Sequence, residues 1–396
     1  MEYNKAYLTK AGRIGAAEMK VLMIPSWYPT AEAPLLGTFY KEQAEALAAR
    51  GVDMAVLYVN VSGDFHPAHN GIHRDDAGGV LTYTYVHPNL TPRWEKGRCI
   101  QRTRMLEKLY RRLEKEWGRP DVVNLRSSLQ GYEAAALCRR HGLPLFFMEH
   151  SSYVVTEGPD SEAVRRLHAV MDAATVNACV SSVLYKVMAP YRETRIIPDF
   201  VDDSRFIIQE TAPRETFTFR AMGQLRPIKG HGTLIRAFAL LKKMTDRPVC
   251  LEIAGKGVLH DNLQKLIDQL GVADDCRLVG AIPRDDVVGF MNGCDCFVCS
   301  SRTEMLSCVL HECAACGRPA IATRCGGPQD IITEETGVLV PVDDPQAMAQ
   351  AMLEMLDRAA GYDRERIRAS ILERFGIEPV CGQLIKACQD SAKGGK

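Results

Sequence analysis

The segment GQLRPIKG carries residue types that can bind a diphosphate. Gly223 and Gly230 bracket it, and Arg226 and Lys229 add two cations. It follows an apolar run typical of a strand, and open parallel sheets bind their ligands at the carboxyl ends of strands. Backbone N–H groups and cations at such a place can hold phosphate oxygens. The alternative is a solvated basic loop that holds no ligand.

Two carboxylates, Glu304 and Glu312, stand eight residues apart in SSRTEMLSCVLHECAACG. Eight helical residues span about 12 Å, whereas the carboxylate pairs of glycoside hydrolases lie about 5 to 9.5 Å apart. The spacing therefore disfavours a hydrolytic acid–base pair. It suits one long ligand with hydroxyl groups at both ends, and the helix start between the carboxylates offers N–H groups to a phosphate in its middle. A nucleoside-diphosphate sugar has this layout.

The elements that must position these residues alternate between strand and helix. Apolar strand patterns such as Lys20–Ile24, Leu143–Met148 and Phe217–Met222 are separated by helical patterns, which is typical of a parallel α/β sheet. The alternation breaks at Asp202–Glu215, a polar stretch that predicts a linker. A chain of 396 residues also exceeds the roughly 250 to 300 that one core serves. We therefore expect two doubly wound, Rossmann-like domains.

Composition and charge exclude several classes of protein. Hydrophobic residues make up 46% and charged residues 25%, which is ordinary for a globular chain. Basic and acidic residues number 49 each, which disfavours nucleic acid as a partner. No apolar run reaches the roughly 18 residues of a membrane-spanning helix, and Val21–Pro25 is too short for the core of a signal peptide. We expect a cytoplasmic protein, with Met19 as an alternative start.

Two Cys-x-x-Cys pairs, Cys296 with Cys299 and Cys313 with Cys316, have the spacing of a zinc ribbon. The first pair lies in a strand pattern, where alternate side chains face opposite sides of the sheet. The second pair lies in a helical pattern. We expect reduced thiols that pack in the core, and no metal site.

GQLRPIKG, EIAGKG and CFVCSSRTEMLSCVLHECAACGRPAIATRCGGPQDII together resemble the retaining glycosyltransferases of family 4, which have the GT-B fold. Glu304 and Glu312 match the family's Glu-x7-Glu motif, and Gly326 and Gly327 match its glycine pair. The segment PSWYP…GTF…EQAEAL looks like that of members that build bacterial surface polysaccharides.

The resemblance covers about residues 20–356. It implies two Rossmann-like domains that face each other across a cleft. Residues 19–205 would form the acceptor-binding domain and residues 206–375 the nucleotide-sugar domain. A C-terminal helix at about 376–392 would pack back on the first domain.

The same resemblance implies roles for individual residues. Glu304 would bind the donor sugar's hydroxyls, Glu312 the ribose, Lys229 the diphosphate, and His150, in FFMEHSS, would lie beside the donor sugar. Glu304, Lys229 and His150 are thus the expected catalytic residues. The other expected donor-binding positions are Gly37, Gly223, Gln224, Arg226, Leu306, Ser307, Cys308 and Val309.

Two departures from the family pattern bear on these roles. The family usually has Arg where this chain has Gln224, so we expect Arg226 to replace that cation. Residues 306–308 replace the usual Phe-Gly-hydrophobic run of the phosphate cradle.

For a histidine after an apolar strand, such as His150, a purely structural role is the alternative.

The resemblance also bears on cofactors and partners. No Asp-x-Asp stands at the expected diphosphate site, so we expect no obligatory metal, with Lys229 and helix N–H groups meeting the charge. UDP is favoured over GDP as the donor nucleotide. The acceptor would be a glycan or a polyprenyl-linked molecule. The alternative function is a non-catalytic sugar-nucleotide-binding or accessory subunit of the same fold.

A basic segment suggests a membrane surface as a further partner. Residues 96–119 contain nine basic and three acidic side chains. Helical spacing places Ile100, Leu106, Leu109 and Leu113 among them. We expect peripheral attachment to anionic lipid on the inner face of the plasma membrane. The alternative is a solvated helix that packs on its own domain.

Other nucleotide-binding classes lack their motifs. AGKGVLH has His260 at the third glycine position of a dinucleotide-binding loop, and Gly-x4-Gly-Lys-Ser/Thr is absent from the chain.

Overall fold

The computed structural model describes residues 19–31, 33–34, 36–62, 70–90, 94–212 and 214–395. They divide into two compact units. The first holds the described residues through Val180, together with Leu184–Ile197 and the chain from Cys381 onward, and the second holds Ser181–Val183 and Pro198–Val380. The predicted boundary after residue 205 lies eight residues beyond Ile197, and the one after residue 375 lies five residues before Val380. The predicted alternative start, which would omit residues 1–18, lies outside the described residues.

The first unit is an α/β layer structure built on one sheet. Its strands are β1 Lys20–Pro25, β2 Asp53–Ser62, β3 Gly71–Asp75, β4 Val80–Pro88, β5 Val122–Arg126, β6 Leu145–Glu149, β7 Val176–Cys179 and β8 Arg195–Ile196. The helices in this part of the chain are α1 Thr38–Ala48, α2 Glu95–Trp117, α3 Gly131–His141, α4 Tyr153–Thr156, α5 Glu162–Ala173 and α6 Ser182–Met188.

The strand order of this sheet is β3-β4-β2-β1-β5-β6-β7-β8. All neighbours are parallel except β3, which pairs antiparallel with β4. Every residue of β5 and β6 is buried, as expected for parallel strands covered on both faces. The chain runs from β1 toward one edge and then returns to β5 on the other side of β1. This reversal creates a crevice at the carboxyl ends of β1 and β5.

The second unit has a smaller sheet. Its strands are β9 Phe217–Met222, β10 Val249–Ala254, β11 Cys276–Gly280, β12 Cys296–Cys299, β13 Ala320–Thr323 and β14 Gly337–Val340. The helices that follow are α7 His231–Met244, α8 His260–Gln269, α9 Val287–Asn292, α10 Cys308–Ala315, α11 Pro328–Ile331, α12 Pro345–Arg358, α13 Arg364–Phe375 and α14 Ile377–Gly394.

This six-stranded sheet is wholly parallel, in the order β11-β10-β9-β12-β13-β14. The order reverses between β9 and β12. The loops after these two central strands carry Lys229 and Glu304, so the topology brings the two strongest sequence motifs to one crevice.

The last helix, α14, continues into the part of the chain that groups with the first unit. There Leu384 and Cys388 are buried, and Arg195 Nη1 donates to Asp390 Oδ2 at 2.7 Å. Among the residues that the structure describes, no helix is long and apolar enough to cross a membrane.

The cysteine pairs lie in the core of the second unit. Cys296 packs on one face of the sheet and Cys299 on the other, as strand alternation predicts. Cys313 and Cys316 pack within the cluster that contains Cys299. Burial raises the pKa of the Cys316 thiol to about 12, which keeps it protonated. Within the described ranges, no group of three or more His, Cys, Asp or Glu side chains could hold a metal ion.

Candidate functional site

The loop after β9 places Lys229 over a glycine. Gly223 follows the strand directly, and a Cβ built there would lie 3.6 Å from Lys229 Cδ. Leu225 is fully buried and anchors the loop, whereas Gln224 and Arg226 are exposed. Pro227–Lys229 forms a 3-10 turn. The predicted diphosphate loop therefore presents Arg226 to solvent and turns Lys229 inward.

Lys229 and Glu304 form an ion pair at the crevice. Lys229 Nζ lies 2.6 Å from Glu304 Oε1, and Ser301 Oγ donates to the same oxygen at 2.7 Å. Burial alone would lower the pKa of Lys229, but the Glu304 carboxylate raises it more, so the pKa is above its usual value. The lysine therefore remains a cation at the place where the resemblance expects a diphosphate.

The glycine pair after β13 supports the backbone of Glu304. The Glu304 N–H donates to Cys325 O at 3.3 Å, and the Gly327 N–H donates to Glu304 O at 2.8 Å. A Cβ at Gly327 would lie only 2.6 Å from Met305 O, so a larger residue would push the two loops apart. Gly326 and Gly327 thus allow the loop after β13 to approach the backbone of Glu304 and Met305 closely.

The start of α10 is the predicted phosphate cradle. Ser307 is its N-cap residue and forms no capping bond through its side chain. The first N–H groups of a helix have no partner within it, so those of Cys308 and Val309 can meet an anion. Leu306 is half-buried and Cys308 is exposed. Glu304 does not cap this helix, because its carboxylate accepts from Lys229 and Ser301.

Glu312 lies on α10 with a cation that the sequence patterns did not indicate. Arg284 Nη1 donates to Glu312 Oε1 at 2.6 Å, and the guanidinium lies 5.2 Å from the ring centroid of Phe206. The Glu312 side chain is only 9% exposed. Arg284 stands shortly after β11, so a search for cations after every strand would have found it.

His150 and Gly37 belong to the first unit and lie close to each other there. His150 follows β6, and its ring stands edge-on to Tyr40 with 5.0 Å between centroids. Phe39, two residues after Gly37, is also in ring contact with His150 at 6.1 Å. His150 Nδ1 lies 3.2 Å from Met148 O, and because a carbonyl only accepts, this nitrogen donates.

Gly37 is the N-cap residue of α1 and has a φ of 69°. A Cβ there would lie 2.6 Å from the carbonyl carbon and oxygen of Trp27. Glycine is therefore required both by the backbone conformation and by the space. The helix start that it caps lies at the carboxyl end of β1, where the sheet order reverses.

Fold and site together define a class. Each unit is an α/β structure whose strands are mostly parallel. In the second unit, a cation–carboxylate pair lies beside a helix N-terminus at the topological switch point. These are the features of a GT-B glycosyltransferase. The family model "Glycosyltransferase Family 4" matches residues 36–205, and "Glycosyl transferases group 1" matches residues 203–371. The chain belongs to these GT-B glycosyltransferases of family 4, and the predicted fold and enzyme class are confirmed.

Named relatives agree with this class. The chain is 33% identical to the lipopolysaccharide core biosynthesis glycosyltransferase LpsE of Rhizobium meliloti over 197 residues, which are 48% of this chain and 54% of LpsE. It is 27% identical to the glycogen synthase of Mycobacterium tuberculosis over 374 residues, 89% of each chain.

Two solved structures have the same fold. Sucrose-phosphate synthase from Thermosynechococcus elongatus superposes with a TM-score of 0.74 at 18% identity, over 92% of this chain and 97% of that one. Anabaena HepE in complex with UDP gives a TM-score of 0.72 at 16% identity, over 93% and 99%.

Proposed function

We propose that this chain is a retaining glycosyltransferase that transfers a sugar from a nucleoside-diphosphate sugar to a glycan or lipid-linked acceptor in cell-surface polysaccharide synthesis. The observation that carries the proposal is the 2.6 Å pair of Lys229 and Glu304 at the switch point of the second sheet. The likeness to LpsE supports the surface-polysaccharide context.

The donor would lie along the carboxyl edge of the second sheet. Lys229 and the N–H groups at the start of α10 would bind the diphosphate. Glu304 would accept from hydroxyls of the transferred sugar and Glu312 from those of the ribose. Arg226, exposed on the same loop as Lys229, would add a second cation in place of the one absent at Gln224. Gly37, at the start of α1 in the first unit, would contact part of the donor.

The reaction needs no enzyme nucleophile. The bond between the anomeric carbon and the phosphate oxygen breaks, the acceptor oxygen attacks from the same face, and its proton passes to the leaving phosphate. Negative charge grows on that phosphate, where Lys229 and the helix N–H groups stabilise it. His150, whose Nδ1 donates to Met148 O, would lie beside the transferred sugar.

We further propose UDP as the donor nucleotide and transfer without a metal ion. The UDP bound to HepE supports the nucleotide. The cations of Lys229 and Arg226 would carry the role that a divalent ion has in other diphosphate sites. Transfer that persists in excess EDTA is the expected result, and restoration of activity only by Mg²⁺ or Mn²⁺ would contradict it.

The basic segment around α2 supports a peripheral position on anionic lipid, and burial limits which of its apolar side chains could take part. Leu106, Leu109 and Leu113 are buried within the first unit, so they cannot enter a membrane. The exposed apolar side chains nearby are Leu90, Trp94 and Ile100, which line a groove of about 490 Å³ with Arg104 and Lys108. We therefore assign the contact with anionic lipid to this groove.

Liposome co-sedimentation tests this contact. We expect Ile100→Ser to reduce pelleting with anionic vesicles. Ile196→Ser, an equally exposed isoleucine on β8 of the same unit, should not. Equal pelleting of the wild type with neutral and anionic vesicles would contradict the assignment.

Donor screening followed by product analysis tests the function. UDP-sugars should raise the melting temperature more than GDP-sugars, because a ligand stabilises the state that binds it. NMR of the product should show the donor's anomeric configuration. Lys229→Ala should abolish both the rise in melting temperature and the formation of product. Lys265→Ala changes an exposed lysine on α8 and should leave both unchanged. An inverted product would contradict the retaining mechanism.

A further inference from the structure

Arg302 and Asp343 tie together loops at the carboxyl edge of the second sheet. Arg302 lies in the loop after β12, two residues before Glu304, and its Nε donates to both carboxylate oxygens of Asp343 at 2.9 and 2.8 Å. Asp343 lies between β14 and α12. Its Oδ1 also accepts from Thr233 Oγ1 at 3.0 Å, in the first turn of the helix that follows Lys229.

Arg302 also holds the turn that contains Lys229. Its backbone N–H donates to Ile228 O at 2.7 Å, and its Nη1 donates to Pro227 O at 3.3 Å. The neighbouring Ser300 Oγ donates to Lys229 O at 3.0 Å. One arginine therefore links the lysine loop, the glutamate loop and the Asp343 loop.

The cost of this arrangement lies in the backbone of Asp343. Its φ is 54°, in the left-handed region that glycine adopts freely and that aspartate adopts at a lower cost than most other residues. The pair is also half-exposed, with 47% and 46% of the two side chains accessible, so water screens it and its contribution to stability is small. The screened ion pair gives little stability to offset even this smaller backbone cost, whereas a requirement for loop geometry accounts for both features.

We propose that Arg302 and Asp343 form a latch that positions Lys229 against the donor diphosphate. The proposal rests on the function proposed above for Lys229. Both members are positioning residues. Without the latch the Pro227–Lys229 turn would sample more orientations, and Lys229 Nζ would meet the leaving phosphate less often. Small misplacements of such a group have large effects on rate.

Asp343→Gly separates positioning from stability. Glycine adopts this backbone conformation without strain, so the melting temperature should be unchanged or higher. Donor kcat/KM should fall about tenfold, mostly in kcat, because Lys229 acts on charge that develops in the transition state. Asp343→Asn tolerates the same φ and keeps an acceptor oxygen, so it should restore most of the activity.

The next residue gives a matched control with the opposite pattern. Asp344 caps α12 through a 2.8 Å bond from Ala347 N–H. Asp344→Ala should lower the melting temperature and leave kcat/KM unchanged. Normal kcat/KM in Asp343→Gly, beside a strong loss in Lys229→Ala, would overturn the latch and leave the proposed function standing. Full activity of Lys229→Ala would instead overturn the proposed function, and the latch with it.

A double variant tests whether Arg302 acts through Asp343. If Arg302 acts through Asp343, Arg302→Gln should add little to the loss already caused by Asp343→Gly. A further multiplicative loss in the double variant would mean that Arg302 acts independently of Asp343, and would overturn the latch as a pair.

Discussion

The two units hold their candidate residues by different forces. In the second unit, Lys229 pairs with Glu304 and Arg284 with Glu312, each at 2.6 Å. In the first unit, His150 lies against the rings of Phe39 and Tyr40.

Ion pairs fix charged atoms but contribute little to folding when partly exposed, whereas aromatic packing around a helix start is part of the fold itself. The difference indicates that substitutions in the second unit should change catalysis at nearly constant stability. Substitutions around His150 should first change stability.

Of the substitutions at the two ion-paired carboxylates, Glu304→Gln should have the largest kinetic effect. The amide keeps the size of the side chain and loses the charge that faces Lys229 and the transferred sugar. We expect kcat to fall about 10²-fold or more, on the order of 3 kcal/mol, with a small change in melting temperature. Steady-state kinetics beside melting curves measure both. Near-normal kcat would remove Glu304 from the catalytic residues.

Gly37→Ala, in the first unit, should instead mainly lower stability. The new Cβ meets the Trp27 backbone at 2.6 Å and the residue must keep a φ of 69°. We expect a loss of about 2 to 3 kcal/mol, seen as faster hydrogen exchange in α1.

Gly51, after the other end of α1, is the matched control. It also has a positive φ but nothing within 4 Å of its Cβ position. Gly51→Ala should therefore cost less than Gly37→Ala. Equal losses would show that backbone conformation, and not the contact with Trp27, sets the cost.

The sequence was sufficient for the order of elements and for the residues at the switch point of the second sheet. Buried parallel strands read as apolar runs, and loops after central strands must meet at one edge. The strand β3, with the sequence GIHRD, was not predicted because it is polar and its exposed side chains leave no apolar alternation.

Features that depend on long-range contacts could not be predicted. The apolar spacing in α2 does not say what the apolar side chains pack against, so the sequence left open whether Leu106, Leu109 and Leu113 are buried in the first unit. The contact of Arg302 with Asp343 joins loops that are distant in the chain, so no local pattern of residues indicates it.

A buried histidine makes the second unit sensitive to acid. His311 on α10 is stacked on Phe375, and burial lowers its pKa from 6.5 to about 3, although Asp199 opposes the shift. The unfolded chain therefore binds a proton that the folded unit does not. Stability is full above pH 6.5 and falls as the pH drops below it, by about 2 kcal/mol at pH 5.

His311→Leu should reduce the difference in unfolding free energy between pH 7 and pH 5 by about this amount. Urea unfolding at the two pH values measures it. Phe375→Leu removes the stacking partner without removing a titratable group, so it should lower stability equally at both. An unchanged pH dependence in His311→Leu would show that this histidine does not carry the acid sensitivity.

The smallest expected effect concerns Glu312 and Arg284. It tests whether this ion pair acts in donor binding whereas the pair of Lys229 and Glu304 acts in the chemical step. If Glu312 binds the ribose, its hydrogen bonds are equally strong in the ground and transition states, so Glu312→Ala should raise the donor KM about tenfold, or about 1.4 kcal/mol, with a smaller loss of kcat. Arg284→Ala leaves the buried carboxylate without its cation and should raise KM similarly, and the double variant should add little because the two residues act as one unit. A fall in kcat as large as that of Glu304→Gln would mean that Glu312 contacts the reacting sugar, and that the ion pairs of this unit do not separate binding from chemistry.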